Sequence, residues 1–503
     1  MAAPIRFPKF RLLAALALLC GLALRLFFIF RYPMTHADDT EFYIQFARNW
    51  VDHGVYGIWV NGQLTPLDMR APGYPAFLAG VAALFGRSLR AIAVVQAFVD
   101  VATCVLIAGM AALLAPDKSR RRVAMAALWL ASLCPFTSDY TAAVLTETLA
   151  IYLTALALIV FCEAPAFCEV RSPLALDPVA PEPESSGTTN RAAGAPLGGV
   201  FANRWFLGGI VVGFATLVRP ESPLIAAGVA LALCIRWRRP VHWRKLVLAG
   251  LWIALGVVLP LMPWAARNWN TLHEVQLLAP RYSQMEGEIL PRGFYAWTRT
   301  WLWRFRDVYL VTWKLETEPI YIEDIPPKAF DSPEQYARVG DLLAEHNEDL
   351  ELTPEMDDAF GQIARERVAL HPLRTRVLMP LLRGLTLWFT PRIELLPFSG
   401  NLWPVGAHWQ DDPVDFSGTI GLFAVNLVYV AMAVAGFWLA RRKPAALLLV
   451  AFVVLRTAFF TQIETPEPRY VLECYPAIIA LGAQLWSRSQ LSVYRANAGI
   501  VVG

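Results

Sequence analysis

The sequence predicts an all-α polytopic membrane protein with about ten transmembrane helices, interfacial helices and a mainly α outer region. Three observations carry this. Of 503 residues, 56% are hydrophobic and only 17% charged, against about 25% charged in soluble domains. Apolar runs suited to a hydrocarbon core of about 30 Å recur along the chain. Basic clusters alternate with these runs so that they share one side. The net charge of +3 is too small to argue for a nucleic-acid partner.

The run 11–30, "RLLAALALLCGLALRLFFIF", is long enough to span, and no small-residue cleavage site follows it. It reads as a retained first helix rather than a signal peptide. Further spans are expected near 91–114, 123–141, 143–163, 205–218, 222–236, 246–266, 418–440, 445–461 and 471–487. The run 74–86, "YPAFLAGVAALFG", is too short to cross and reads as a helix lying in the interface. With that choice, four basic groups fall together. They are Arg6, Lys9 and Arg11; Lys118 with Arg120 to Arg122; Arg236, Arg238, Arg239, Arg244 and Lys245; and Arg441, Arg442 and Lys443. The positive-inside rule makes their side cytoplasmic.

The regions 31–90, 267–417 and 462–470 then face outward. Residues 164–204, rich in Pro, Gly, Ser and Ala, read as a disordered cytoplasmic linker. The expected organisation is an N-terminal transmembrane module, 1–266, carrying the outer loop 31–90 and the linker 164–204. An outer region, 267–417, follows, and then C-terminal transmembrane helices with a short cytoplasmic tail, 418–503. Within the outer region, 332–368 reads as polar helices and 371–389 as an amphipathic helix along the membrane. Its tryptophans, Trp297, Trp301, Trp303, Trp313, Trp388, Trp403 and Trp409, read equally as interface anchors and as stacking surfaces for sugars or headgroups. The seven cysteines make no CxxC pair and give neither a disulfide framework nor a zinc site.

The outward-facing segments gather charge. "MTHADDTEFYIQFARNW", 34–50, places Asp38, Asp39 and Glu41 beside His36 directly after the first span. The stretch suits a short helix with Asp38 or Asp39 near its N-terminus. One acid reads as an N-cap at the membrane surface; three beside a histidine read as an N-cap or as a functional cluster. In "DMRAPGYPAFLAG", Arg70 leads a Pro-rich turn and could pair with headgroups or clamp a phosphate. Glu147 sits in an otherwise apolar helix near its outer end, a costly position that implies a cavity or a partner. Arg219, Pro220 and Glu221 interrupt two short apolar runs, and Glu464, Glu467, Arg469 and Tyr470 lie at the same level. Asp100 and Arg456 lie deeper and read equally as structural pairs or functional groups. Carboxylates and arginines collected at one membrane face suggest a site for an anionic, membrane-borne substrate.

The chain resembles the GT-C superfamily of membrane glycosyltransferases that use polyprenyl-phosphate sugars, in its aminoarabinose transferase and protein O-mannosyltransferase branch. The signs are "DDTEFYIQFARN", "RAPGYPAFLAGVAALFG", "VLTETLAIYLTALAL", "ATLVRPE", "MPWAARNW" and "PRYVLECYPA", in family order between about 11 and 487. The resemblance implies a GT-C fold and a transferase. In its register an acid is followed by Tyr four places on and Ala eight places on, here Asp39, Tyr43 and Ala47. That makes Asp39 the implied catalytic base, with Asp38 ranked second. Glu147 occupies the position of an acid where relatives often have Asp. Arg70 is the implied phosphate contact, helped by Arg219 and Arg469. Tyr43, Glu41, Tyr74, Glu221 and Tyr470 are the implied substrate contacts.

Two departures matter. Asp39 is followed by Thr40 where protein mannosyltransferases pair Asp with Glu, and Arg70-Ala71-Pro72 replaces their His-Pro-Pro turn. A lipid or glycan acceptor is therefore expected over a protein. The expected reaction is inverting transfer from a polyprenyl-phosphate sugar at the outer face, needing no nucleotide. The acids could also take a divalent cation, though the ligand set names no metal. The alternatives are a protein O-glycosyltransferase of the same superfamily and a non-enzymatic flippase for lipid-linked sugars. Transporters set their charges near the midplane, whereas these crowd one face. Arg greatly outnumbers Lys and no Asn-x-Ser/Thr site occurs. The expected location is a bacterial inner membrane, with the site facing the periplasm and in contact with membrane lipids.

Overall fold

The computed structural model describes residues 7–32, 38–167, 203–237, 243–280, 289–315 and 317–487. Most of the expected linker, together with Arg6, His36, Arg238 and Arg239, lies outside them. The described residues form an all-α architecture with a single two-stranded hairpin.

Among the described residues, four helices are long and apolar enough to cross a membrane: Phe7–Arg31, Leu89–Leu114, Trp243–Leu272 and Pro413–Ala440. Shorter apolar helices are Gly73–Phe85, Glu147–Cys162, Arg204–Val218, Leu224–Arg236 and Pro444–Phe460. Leu248, Leu251, Leu255, Leu259 and Met262 make an exposed apolar stripe along Trp243–Leu272. Such a stripe suits contact with lipid tails rather than water. Helix Gly73–Phe85 has 13 residues, which at 1.5 Å per residue is about 20 Å and too short to span. The described basic clusters lie at one end of their helices, and the candidate site residues lie at the opposite ends.

Two expected spans are broken. Segment 123–141 forms the helix Arg120–Ser132, then a short helix Pro135–Ser138 and a tight turn Asp139–Ala142. Pro135 cannot continue the first helix, because it lacks the N–H and clashes with the preceding turn. Segment 471–487 is a 3-10 helix Pro468–Cys474, a short α-helix Tyr475–Gly482 and a second 3-10 turn Ala483–Ser487. The carbonyls freed at the first break are taken up by buried side chains. Gln96 donates to Thr141 and Ala143 at 3.2 and 2.7 Å, Arg25 to Ser132 at 2.9 Å, and Tyr429 to Leu130 at 2.7 Å. Arg25 also pairs with Asp100, and both side chains are buried. Helix Pro413–Ala440 packs directly on the second broken segment: a Cβ on Gly436 would sit 1.9 Å from the carbonyl oxygen of Leu481.

The loop after Phe7–Arg31 folds into a helix, Asp38–His53, and the hairpin Gly57–Val60 with Gln63–Pro66. The hairpin was not anticipated, although Asn61-Gly62 carries its signal. Both residues have positive φ, 50° and 79°, as a two-residue I′ turn requires.

Residues 291–370 form a helical lobe with a core of its own. Its core is Phe294, Trp297, Trp301, Val339, Leu343 and Phe360. Trp297 and Trp301 are 0% and 1% exposed, so they are neither anchors nor stacking surfaces but core. Helices Pro333–Asp349 and Pro354–Leu370 fall within the expected polar stretch, with Ser332 and Thr353 as N-caps. Past a turn at Arg374–Leu378, helix Met379–Phe389 continues the expected amphipathic segment. Leu373, Val377, Leu381 and Leu385, spaced by four, stand exposed on one face.

Candidate active site

The site is built where helices are forced to end. Arg219 closes Arg204–Val218 in an extended conformation, φ −139° and ψ 118°, because Pro220 bars it from the helical region. Glu467 is extended before Pro468 for the same reason. Glu147 is the first residue of Glu147–Cys162, where a carboxylate is favoured by the helix dipole. Gly73 lets the next helix start against Leu217, whose carbonyl oxygen would lie 2.6 Å from a Cβ there. These approaches bring segments 73, 147, 219 and 467 to one place.

The result is a ladder of ion pairs. Arg219 contacts Glu147 at 3.0 Å, Glu221 at 2.7 Å and Glu473 at 3.3 Å. Arg456 pairs with Glu473 at 2.6 Å and lies 3.7 Å from Glu221. Arg469 pairs with Glu467 at 2.5 Å and lies 3.8 Å from Glu147. Tyr470 donates to Glu467 at 2.6 Å. Four carboxylates meet three guanidinium groups, so the ladder carries one surplus negative charge. Oε2 of Glu147 is buried without a hydrogen-bond partner. Arg219 and Arg469 are therefore already matched by carboxylates.

A second pair stands apart from the ladder. Arg70 donates through Nη2 to Oδ1 of Asp39 at 2.7 Å. Both side chains keep about a third of their surface, 29% and 35%. Nε of Arg70 has no partner, and the guanidinium lies 5.6 Å over the ring of Phe42. Asp39 sits in the first turn of Asp38–His53, and Thr40 ties this helix to the carbonyl of Val144 at 3.2 Å. Asp38 begins the helix, but its side chain is outside the described ones. Tyr43 packs edge-on against Tyr74 at 5.1 Å, and Ala47 is buried in the same cluster. Burial, and then the charge of Asp39, hold the Tyr43 hydroxyl well above its ordinary range; Arg70, Glu147 and Arg219 act on it too. Tyr43 thus stands between the pair and the ladder.

The remaining candidates sit elsewhere. Glu41 is exposed and accepts from Gln45 at 3.3 Å, turned away from Asp39. Tyr74 is fully buried and spends its hydroxyl on Gln96 at 2.7 Å. Sequence reasoning did not single out Glu473, Arg25 or Arg267. Each is a charge in an apolar run, which is signal enough for a partner or a cavity.

Arg267 marks such a cavity. A largely apolar space of about 610 Å³ runs between Gly73–Phe85, Glu147–Cys162, Arg204–Val218 and Trp243–Leu272. Leu149, Leu153, Phe214, Val218 and Trp264 line it, and Tyr56, Pro72 and Arg267 close one end. Arg267 lies over the rings of Tyr56 and Trp264, at 5.4 and 5.2 Å, and donates to the carbonyl of Tyr56 at 2.6 Å. No carboxylate among the described residues pairs with it. Tyr56 donates in turn to the carbonyl of Arg70 at 2.8 Å. One tyrosine therefore links both arginines. Among the described residues no cluster of three or more His, Cys, Asp or Glu is arranged to hold a metal ion.

The arrangement is an apolar groove whose lining includes Arg267, with a part-exposed Asp39–Arg70 pair and a charged ladder nearby. No family model and no curated protein matches the chain. Among solved structures it is similar to the archaeal oligosaccharyltransferase AglB from Archaeoglobus fulgidus, in complex with an inhibitory peptide and a dolichol-phosphate. Identity is 14% and TM-score 0.49, over 99% of this chain and 53% of that one. It is also similar to ArnT from Cupriavidus metallidurans bound to undecaprenyl phosphate, with 13% identity and TM-score 0.36 over 98% and 79% of the two chains. The chain spans about half the length of the oligosaccharyltransferase it matches.

Proposed function

We propose that the protein is an inverting membrane glycosyltransferase that moves a sugar from a polyprenyl phosphate to a lipid or glycan acceptor. The observation that carries this is the Asp39–Arg70 pair, half-exposed at 2.7 Å, on the loop that closes an apolar groove. A polyprenyl tail needs an apolar channel and a phosphate needs guanidinium groups; Arg267 lines the groove, and Tyr56, in the same lining, donates to the backbone carbonyl of Arg70. Arg70 keeps 29% of its side-chain surface, and Arg267 has no acidic partner among the described residues. Arg219 and Arg469 hold Glu147 in place rather than supplying spare charge.

In the reaction Asp39 takes the proton of the acceptor hydroxyl as its oxygen bonds to the anomeric carbon. The transfer is concerted with attack. The bond from the anomeric carbon to the phosphate oxygen breaks, and its electrons leave with the polyprenyl phosphate. Arg70 and Arg267 stabilise that developing charge. Single displacement inverts the anomeric centre. Oε2 of Glu147 is an acceptor still without a donor and is suited to orient a hydroxyl of the sugar. We place the site on the periplasmic face of a bacterial inner membrane, because it lies at the helix ends opposite the basic clusters.

The test is Asp39→Asn in purified protein reconstituted in lipid, given a radiolabelled polyprenyl-phosphate sugar pool and extracted envelope acceptors. Turnover should fall by at least about a hundredfold, the usual weight of a positioned base, with donor binding retained. Wild-type turnover in that variant would remove Asp39 from the chemistry.

A further inference from the structure

A cavity of about 480 Å³ lies at the helix ends opposite the ladder and shares no lining residue with the apolar groove. Four helix ends surround it: the exits of Glu147–Cys162 and Leu224–Arg236, and the starts of Arg204–Val218 and Trp243–Leu272. Trp205, Trp237 and Trp252 line it. Trp205 packs against Phe161 and Phe167, with ring centres 6.3 and 6.0 Å away, and Trp252 packs against Phe206 at 5.8 Å. Indoles collect where hydrocarbon gives way to headgroups.

The polar part of the wall is all donor. Arg236, Lys245 and Asn203 line the cavity, and among the described residues no carboxylate does. Both cations are exposed, and neither forms an ion pair among the described residues. Glu163, close by in the chain, is taken by Arg204 at 2.9 Å. Asn203 spends its side-chain oxygen on the N–H of Trp205 at 3.0 Å, which leaves its amide NH2 to donate. Two cations and a spare amide without an acid suit an anion with several acceptor oxygens, such as a phosphate.

The apolar part of the wall decides what carries that phosphate. Leu248 lines the cavity and also opens the stripe Leu248, Leu251, Leu255 and Leu259, each more than half exposed. Spacings of three and four put these leucines on one helix face. An anion between Arg236 and Lys245 therefore has an apolar track running away from it along Trp243–Leu272. A free phosphate makes no use of that track, whereas a phospholipid uses both parts. The positive-inside rule puts this end in the cytoplasmic leaflet, and basic pockets between helices on that side suit anionic headgroups.

We infer that this cavity holds the phosphate headgroup of an anionic glycerophospholipid, with an acyl chain along the stripe from Leu248 to Leu259. The inference does not rest on the transferase reading, and its test uses neither donor nor acceptor. The full chain in neutral detergent is titrated with dioleoyl phosphatidylglycerol or with zwitterionic dioleoyl phosphatidylcholine, and bound lipids are counted by native mass spectrometry. The first should bind at least about tenfold more tightly, the effect of two cations on one net charge. Arg236→Ala with Lys245→Ala should remove the preference, and the charge-keeping pair Arg236→Lys with Lys245→Arg should retain it. Arg441→Ala with Arg442→Ala, in another basic cluster at the same end, should leave it intact. No preference in the wild-type chain overturns the inference. Equal loss in both alanine pairs does so too, since it reports a diffuse surface charge. Displacement of the lipid by equimolar glycerol 3-phosphate would make this a site for a free anion. A preference seen only after Glu182→Gln with Glu184→Gln would give the cavity to the chain's own acidic segment. Either result sinks the lipid assignment.

Discussion

Glu473→Gln removes the charge at the centre of the ladder. Glu473 takes Nη2 of Arg456 at 2.6 Å, Nε of Arg219 at 3.3 Å and the hydroxyl of Thr154 at 3.0 Å. Arg456 is fully buried, and its other contacts are the carbonyl of Tyr470 at 2.8 Å and Glu221 at 3.7 Å. Breaking a buried pair by removing one partner costs about 3–5 kcal/mol. Gln keeps one acceptor oxygen and Glu221 stays near Arg456, so the expected cost is at the lower end, about 3 kcal/mol. In a chain of this size that lowers the melting midpoint by about 5 °C. The buried thiols Cys104, Cys134, Cys162 and Cys474 give the assay. A thiol-reactive dye added during a thermal ramp in nanodiscs reads their exposure, with exposed Cys234 as the baseline. Arg456→Met alone should cost a similar amount, and the double variant less than the sum, because neither charge is then stranded. An unchanged midpoint in Glu473→Gln, or strict additivity, would refute the claim that these charges act as a unit.

Other expectations follow from single features. Arg267→Ala should weaken binding of a long-chain polyprenyl phosphate in nanodiscs by about tenfold or more, with little effect on an uncharged polyprenol; equal loss for both would assign Arg267 to packing. Gly436→Ala inserts a Cβ where the carbonyl oxygen of Leu481 would be 1.9 Å away, and the forced separation should cost about 1–3 kcal/mol in the same dye assay. Asp331 accepts from Arg374 at 2.7 Å through both oxygens, and this pairing holds its carboxyl below the ordinary range. A depressed folded-state pKa gives stability that is fully present above the unfolded value, about 3.9, and is lost as pH falls through the folded one. The lobe's melting midpoint should therefore fall on acidification below about pH 4, and Asp331→Asn should flatten that fall.

Much of the site was legible because charge is conspicuous in an apolar chain. Asp39 and Arg70 lie on one loop, and their pairing needs only that the loop fold back. Glu147, Arg219, Glu221, Glu467 and Arg469 each stood at a helix end on the same face, so the sequence placed them at one level without pairing them. Glu473 was hidden because "YVLECYP" reads as the start of a span; it surfaced once Pro468 and Pro476 broke that span into short turns. Arg25 was masked by the strong hydropathy of its own helix, and only its packing on Asp100 explains it. Tyr74 illustrates the opposite error. A motif position suggested a substrate contact, but burial against Gln96 is decided by tertiary packing that a local motif does not carry.

The break at 133–146 also constrains how the protein is made. Its own turns take up some of its carbonyls, but those of Thr141, Ala143 and Val144 accept from Gln96 and Thr40 on two other helices. Exposed backbone groups are not tolerated in hydrocarbon. This stretch therefore cannot take its final shape as it leaves a translocon alone. It needs Leu89–Leu114, which carries Gln96, and Asp38–His53, which carries Thr40, packed beside it.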